Sequence, residues 1–216
     1  YFIVEEGKMW DSILDVLKQK AAEGVEVRMM YDDIGCFFLL PQNYREQLEA
    51  AGIKCRVFNP FTPFLTVLQN NRDHRKICVI DGKVAFTGGV NLADEYINAR
   101  QRFGHWKDSG IVLDGDAAWS FTVMFLQMWR LAAIRDEAPE DWQKYLPAED
   151  PFERRPRCGY VQPYADSPMD FDNVGEHVYL QMIGNAKKYL YINTPYLIID
   201  DSMVSALTLA AKSGVD

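Results

Sequence analysis

Cysteine and histidine are both scarce in this chain, at four and three of 216 residues. The cysteines (Cys36, Cys55, Cys78 and Cys158) are widely spaced and form no Cys-x-x-Cys pair. His74, His105 and His177 share no ligand spacing with them, so no zinc or other metal site is expected. Cys55 and Cys78 fall in strand-like runs and read as small core residues, which fits a reducing compartment. Long apolar runs are also missing. The longest apolar-rich stretch, Ala117 to Ile134, is interrupted by Ser120, Thr122, Gln127 and Arg130. A membrane-spanning helix needs about 18 or more apolar residues in a row, so none is expected here. The first residues read as a strand, not as a signal peptide, and any membrane anchor is expected outside this chain. Positive charge is in deficit: 23 Lys and Arg against 31 Asp and Glu leave −8, which argues against a broad nucleic-acid surface. What is present is a 48% apolar, 13% aromatic and 25% charged composition, that of a globular protein with a real core in one large domain or two small ones.

The richest stretch runs His74-Arg75-Lys76-Ile77-Cys78-Val79-Ile80-Asp81, followed by Gly88-Gly89-Val90-Asn91. Lys76 to Ile80 is apolar and partly β-branched and suits a buried strand. Side chains alternate along a strand, so His74 and Lys76 point the same way. Asp81-Gly82 signals a hairpin, with Lys83 to Thr87 returning. A two-residue turn there predicts pairs of Ile80 with Lys83, Lys76 with Thr87 and His74 with Gly89. The glycines then lie beside the histidine, where a missing Cβ lets a bulky phosphate approach. Asn91 can donate from its amide to a phosphoryl oxygen. A neutral imidazole, with a reference pKa of about 6.5, can attack phosphorus and form a phosphohistidine. Lys76 and Asn91 would stabilise charge on the equatorial oxygens. These are the parts for attacking a phosphodiester without a metal or cofactor. Arg72, His74, Arg75, Lys76 and Lys83 form a local basic patch in an otherwise acidic chain. Plainer readings exist for each part alone: Asp81 as the turn residue only, the favoured reading of that position; Lys76 as a solvated lysine; Gly88-Gly89 as a loop.

The pattern H-x-K-x4-D followed by G-G-x-N resembles the HKD motif of the phospholipase D superfamily, and its wording is most similar to bacterial cardiolipin synthases. Further similar segments are Asn59-Pro60, Asn71 to Asp81, Gly88 to Tyr96, Trp106-Lys107-Asp108 and Asn193-Thr194-Pro195-Tyr196. The resemblance implies an α/β fold, a phospholipase D-like α-β-α sandwich with a mixed central sheet flanked by helices, as one repeat of a pseudo-twofold duplicated core. It implies catalytic roles for His74, Lys76, Asp81, Asn91 and Asp108, and substrate contacts at Gly88, Gly89, Arg72, Phe61 and Phe64. Asp108 is the first candidate to orient His74, with Asp94 and Glu95 next. The implied reaction joins two phosphatidylglycerol molecules into cardiolipin and releases glycerol, through a phosphatidyl-histidine. Implied partners are phosphatidylglycerol and other anionic phospholipids, a membrane surface on the cytoplasmic side of a bacterial cell membrane, and the second half of the parent chain. Two other readings stay open: a phospholipase or nuclease of the same superfamily, and a non-catalytic lipid-binding fragment.

The chain also repeats itself. Asp11-Ser12-Ile13-Leu14 through Gly24-Val25-Glu26 matches Asp201-Ser202-Met203-Val204 through Gly214-Val215-Asp216 without a gap, at a constant offset of 190 residues. Leu14, Leu17 and Ala21 correspond to Val204, Leu207 and Ala211, and Tyr1-Phe2 to Tyr191-Ile192. Each copy reads strand, N-capped helix, glycine stop, strand. The first copy reaches His74 fifty residues after Gly24. The expected organisation is therefore a first repeat at 1–135, a surface connector at 136–156 and the start of a second repeat at 157–216. The resemblance implies two HKD motifs facing each other, so this chain alone is expected to be inactive or very weak; some single-motif relatives complete the site as homodimers, but the start of a second repeat argues for the two-repeat form. Elsewhere, helices are expected at Gln42–Ala51, Asp116–Arg135 and about Asn173–Ala186, and strands at Val25–Tyr31, Lys54–Phe58 and Gly110–Leu113. Trp119, Val123, Leu126 and Trp129 are spaced for one buried face. The aromatic loop with Phe61, Phe64 and Leu68 reads equally as a core cap or as an acyl-chain contact. His105 and His177 read as structural.

Overall fold

The computed structural model describes residues 1–61, 67–102, 104–133, 140–147, 159–167, 171–194 and 196–216. Phe64 and Cys158, named above, lie outside them, as does most of the expected connector. The chain divides into two units, Tyr1–Gln162 and Pro163–Asp216.

The first unit opens with an extended segment, residues 1–5, that is paired on both sides. On one side Tyr1 exchanges hydrogen bonds with the strand β1 (Arg28–Asp32); on the other Val4 forms a parallel bridge to Leu92. β1 pairs in parallel with β2 (Lys54–Phe58), Arg28 opposite Lys54 and Asp32 opposite Phe58. Helix α1 (Lys8–Ala22) precedes β1; the short helix α2 (Asp33–Cys36) and α3 (Tyr44–Ala50) lie between β1 and β2. A parallel pair needs such a crossover, and Gly52, at φ +83, ends α3 in the left-handed turn that only glycine adopts without cost. Val4, Trp10, Met29, Tyr31, Leu48, Ile53, Cys55 and Leu92 form the core, and the Trp10 indole N–H donates to the Tyr44 hydroxyl to tie α1 to α3.

The second sheet is antiparallel, in the order β3 (Ile77–Ile80), β4 (Val84–Gly88), β5 (Gly110–Asp114). Helix α4 (Ala117–Leu131) follows it and buries Ala118, Thr122, Leu126 and Trp129. That stripe shares Leu126 and Trp129 with the predicted one, but Trp119 and Val123 are only half-buried. Two expectations need correction. The hairpin carries three residues, not two, so Ile80 faces Val84 and Ile77 faces Thr87; the predicted pairs of Lys76 with Thr87 and His74 with Gly89 do not form. Cys78 is exposed, because it lies on the face of β3 opposite the half-buried Ile77 and Val79. In the connector, residues 140–147 are tied to the first unit, with the Arg28 guanidinium bound to Glu140 and held over the Trp129 and Tyr145 rings. No helix among the described residues is long and apolar enough to cross a membrane.

The second unit contains α5 (Val174–Asn185) and α6 (Asp201–Lys212). Asp200, one residue before the expected cap, accepts the Met203 amide and starts α6. The end of α6 reproduces the end of α1. Gly24 and Gly214 have φ of +93 and +89, and Val25 and Val215 donate to the carbonyls of Lys20 and Ala210. That is the same C-terminal motif at an offset of 190 residues. Tyr191-Ile192 is not a strand; the pairing nearby runs through Lys188 and Leu190 to Asp216.

Candidate active site

The sequence Met29-Met30-Tyr31 buries β1, and the strand ends in a carboxylate, Asp32, that is only 1% exposed. Burial of a charge is costly unless it is fully bonded, and Asp32 is. Its Oδ1 accepts the Gly35 N–H at 3.0 Å and the Arg72 guanidinium at 3.3 Å, and its Oδ2 accepts the Asp73 N–H at 3.2 Å. Arg72 also donates to the carbonyls of Gln69 (2.7 Å) and Asn59 (2.9 Å). The lead-in to β3 is thus fastened to the carboxyl ends of β1 and β2. The next residue is His74.

Phe2 stacks on the His74 imidazole, with ring centroids 3.9 Å apart and planes 19° from parallel. His74 is exposed overall, yet the desolvation it does suffer is the largest influence and pushes the imidazole pKa below its usual 6.5; Lys76 acts in the same direction, while Asp32 and Asp73 oppose. At neutral pH the ring is therefore held neutral, the form that carries a nucleophilic lone pair. Lys76 is itself pushed down from its usual value by burial, with Asp73 and Asp108 opposing. Its ammonium reaches the His74 carbonyl at 2.5 Å, beside the imidazole. Asp73 is held by the Arg75 guanidinium at 2.8 Å.

Opposite Lys76, Asp108 uses Oδ1 to accept the Gly89 and Ser109 amides at 3.1 and 2.8 Å, and Oδ2 to accept the Trp106 indole N–H at 3.0 Å. A Cβ on Gly89 would collide with this carboxylate, and one on Gly88 would sit 2.6 Å from the Ser109 carbonyl. The two glycines therefore admit β5 and Asp108, a closer neighbour than the phosphate that their lack of side chains suggested. Asn91 is 5% exposed; its Oδ1 accepts the Ile3 amide and its Nδ2 donates to the Tyr96 hydroxyl. One of its two amide hydrogens suffices for Tyr96. Among the described residues no hydrogen bond reaches the His74 imidazole, and no group of three or more His, Cys, Asp or Glu is arranged to hold a metal.

Residues 2–129 of this chain match the family model described as "Cardiolipin synthase, PLD-like domain". The chain belongs to that family. It is 51% identical over 216 residues to an uncharacterised protein of Streptococcus mutans, of whose length the match covers 46%. It is 40% identical over 218 residues to cardiolipin synthase 2 of Bacillus cereus (41% of that protein) and 39% identical over 217 residues to cardiolipin synthase of Alkalihalophilus pseudofirmus (42%). Each match takes in the whole of this chain, so the chain spans less than half the length of these relatives.

Within this phospholipase D-like domain the other expected site residues fall in separate places. Asp81 occupies the hairpin turn at the far end of β3 from Lys76, with φ +51, and Lys83 donates back to the Ile80 carbonyl across it. Arg72 turns inward with its guanidinium engaged on Asp32 and two carbonyls, as described above. Phe61 is half exposed, donates its amide to Asp33 at 2.6 Å and packs edge-on against Phe37 at 5.6 Å. Asp94 accepts the Met9 amide at the start of α1, and Glu95 is buried between Arg100 and Arg102. His105 is exposed, and His177 lies 3.2 Å from Asp172 in the second unit. Phe2, Asp32 and Asp73 stand outside the pattern that marks the other site residues in the sequence. Asp32-Asp33 directly after a buried apolar run was the available signal, since the carboxyl ends of parallel strands are where α/β sheets gather their ligands.

Proposed function

We propose that the full-length protein of which this chain is part is a cardiolipin synthase acting at the cytoplasmic face of a bacterial membrane. His74 attacks the phosphorus of one phosphatidylglycerol. The P–O bond to the glycerol headgroup breaks, glycerol takes a proton and leaves, and a phosphatidyl-histidine remains. The terminal hydroxyl of a second phosphatidylglycerol then displaces the histidine, its proton passing back to the general acid, and cardiolipin is released. Lys76 and the second amide hydrogen of Asn91 stabilise the equatorial oxygens, where phosphoryl transfer gathers its charge. The proton donor belongs to a second HKD motif in the rest of the protein, which leaves the 216-residue chain alone inactive or very weak. The expected division is a first repeat at 1–135, a connector at 136–156 and the beginning of a second repeat at 157–216.

The observation that carries this reading is the placement of His74 and Lys76 together, the Lys76 ammonium donating to the His74 backbone carbonyl, in a chain of the cardiolipin synthase family. A lipid substrate is supported by the aromatic cluster at the carboxyl end of β1, where Phe37 packs against both Phe38, 92% exposed, and Phe61. The test uses full-length protein in detergent with phosphatidylglycerol as the only lipid, with products read by mass spectrometry beside His74→Ala. Cardiolipin that vanishes in the variant supports the reading. Phosphatidic acid alone would make the protein a phospholipase, and no product from folded protein would leave a lipid-binding role.

A further inference from the structure

We infer that Asp32 and Phe2 form a two-sided mount that positions the His74 imidazole; the inference rests on the reading of His74 as the nucleophile. The mount starts from one buried carboxylate. On one side Asp32 accepts the Asp73 N–H and the Arg72 guanidinium, which fixes the two residues immediately before His74 and hence the direction in which its Cα–Cβ bond leaves the backbone. On the other side the same carboxylate accepts the Gly35 N–H and caps α2. Gly35 is pressed against the Phe2 carbonyl so closely that a Cβ there would collide with it, and the Cys36 thiol faces that carbonyl at 3.5 Å. The Phe2 ring then lies flat on the imidazole at 3.9 Å. A ring pinned through its backbone on one side and across its face on the other has little freedom at χ1 and χ2. Among the described residues no side chain holds its nitrogens, so this mount is what sets their direction. Asp32 and Phe2 are positioning residues, since both act on His74 and neither touches phosphorus.

A structural carboxylate and a positioning one are separable. The charged groups acting on His74 are Lys76 beyond it, Asp73 before it and Asp32 from the end of β1, while Phe2 contributes an uncharged face. Asp32 favours the imidazolium, so its neutralisation lowers the His74 pKa and leaves more, not less, of the neutral nucleophile at pH 7. A fall in turnover of the neutralised variant therefore reports misdirection of the ring and not its protonation.

The experiment compares wild-type full-length protein, Asp32→Asn and Phe2→Leu, using kinetics on phosphatidylglycerol and the NMR titration of the His74 Cε1–H, assigned with His74→Gln. A misplacement near 1 Å at a reacting group costs about 10²-fold. The expected result is a kcat reduced by about 10- to 100-fold in both variants, a KM changed by much less, and a His74 titration moved to lower pH in Asp32→Asn. Folded variants with wild-type kcat, or an Asp32→Asn whose loss leaves the His74 titration in place, would overturn the inference. If Asp32→Asn fails to fold, Phe2→Leu, which keeps apolar volume, decides by the same kcat criterion. If wild-type protein makes no cardiolipin the functional reading fails on its own. The chemical shift of the His74 Cε1–H then still decides the mount without turnover, because the Phe2 ring stacked at 3.9 Å displaces it, and a shift unchanged in both Phe2→Leu and Asp32→Asn would overturn the inference.

Discussion

A methyl group at position 89 would occupy space that the Asp108 carboxylate already fills. Gly89→Ala therefore forces Asp108 off the Gly89 amide and away from the Trp106 indole, both of which it now accepts. Overpacking of this kind costs about 1–3 kcal/mol, or about 2–4 °C of melting temperature per kcal/mol in a protein of this size. Thermal unfolding of Gly89→Ala beside wild type measures it. An unchanged melting temperature would mean that Asp108 moves freely and holds nothing. The imidazole of His74 gives a second test at this scale. Its pKa is pushed below 6.5, chiefly by burial and then by Lys76. A histidine depressed in the folded state is neutral above its ordinary pKa and stays neutral as pH falls, until the lower folded value is reached. The acid limb of kcat/KM, which reports the free enzyme, is expected to turn below pH 6.5. A turn clearly above 6.5 would show that Asp32 and Asp73 outweigh burial, or that another group controls the limb.

The elements show which parts of this fold are written locally. Local pattern alone places β2 with its observed ends, and α3, β5 and α5 to within two residues, because each carries its own periodicity and its own glycine or polar stop. The hairpin register differs from the one its local pattern predicts, and the reason is tertiary. Asp81 and Gly82 make the tight turn, both at positive φ, but Lys83 is drawn out of the ladder and its carbonyl accepts the Gly115 amide at the end of β5. Nothing in residues 76–87 announces that demand, and a slip of one residue turns every side chain to the other face. His74, Lys76 and Asn91 were legible as a spaced pattern. Asp32 is legible only as a carboxylate closing an apolar run, since the partners that give it meaning, Arg72 and Asp73, lie about forty residues further on. The start of α1 repeats the lesson. Asp11 and Ser12 suggested a local cap, yet the helix begins at Lys8 with no side-chain cap of its own, and Asp94 supplies the missing acceptor to the Met9 amide at 2.9 Å. Asp94→Ala should cost about 0.5–2 kcal/mol, as loss of a helix cap does, and Asp94→Asn less, because the amide oxygen still accepts. Urea denaturation of the two variants compares them, and equal losses would mean that charge, not capping, is what Asp94 contributes.

At the scale of the whole molecule, the question is where the second half of the chemistry comes from. Transfer from one lipid alcohol to another asks for a nucleophile and for a proton on the departing glycerol. On the proposed reaction His74 is the nucleophile, and of the other two histidines His105 is exposed in the segment before β5 and His177, in the second unit, lies 3.2 Å from Asp172. Lys76 can stabilise charge, but its pKa, although depressed, starts from 10.5, far above that of an imidazole. The chain meanwhile repeats its own helix and glycine stop at an offset of 190 residues, down to matched backbone hydrogen bonds at Val25 and Val215. A duplicated protein that faces two such units supplies the missing acid without any further device. General acid catalysis is worth about 10²–10⁴ in rate, so the 216-residue chain, shown by circular dichroism to be folded, should form cardiolipin at least about 100-fold more slowly than full-length protein. The shortfall should be in kcat, and adding more of the same chain should not restore it. Turnover by the isolated chain within a few-fold of full length would sink the two-motif reading. A rate rising with the square of chain concentration would replace it with two copies of His74 facing one another.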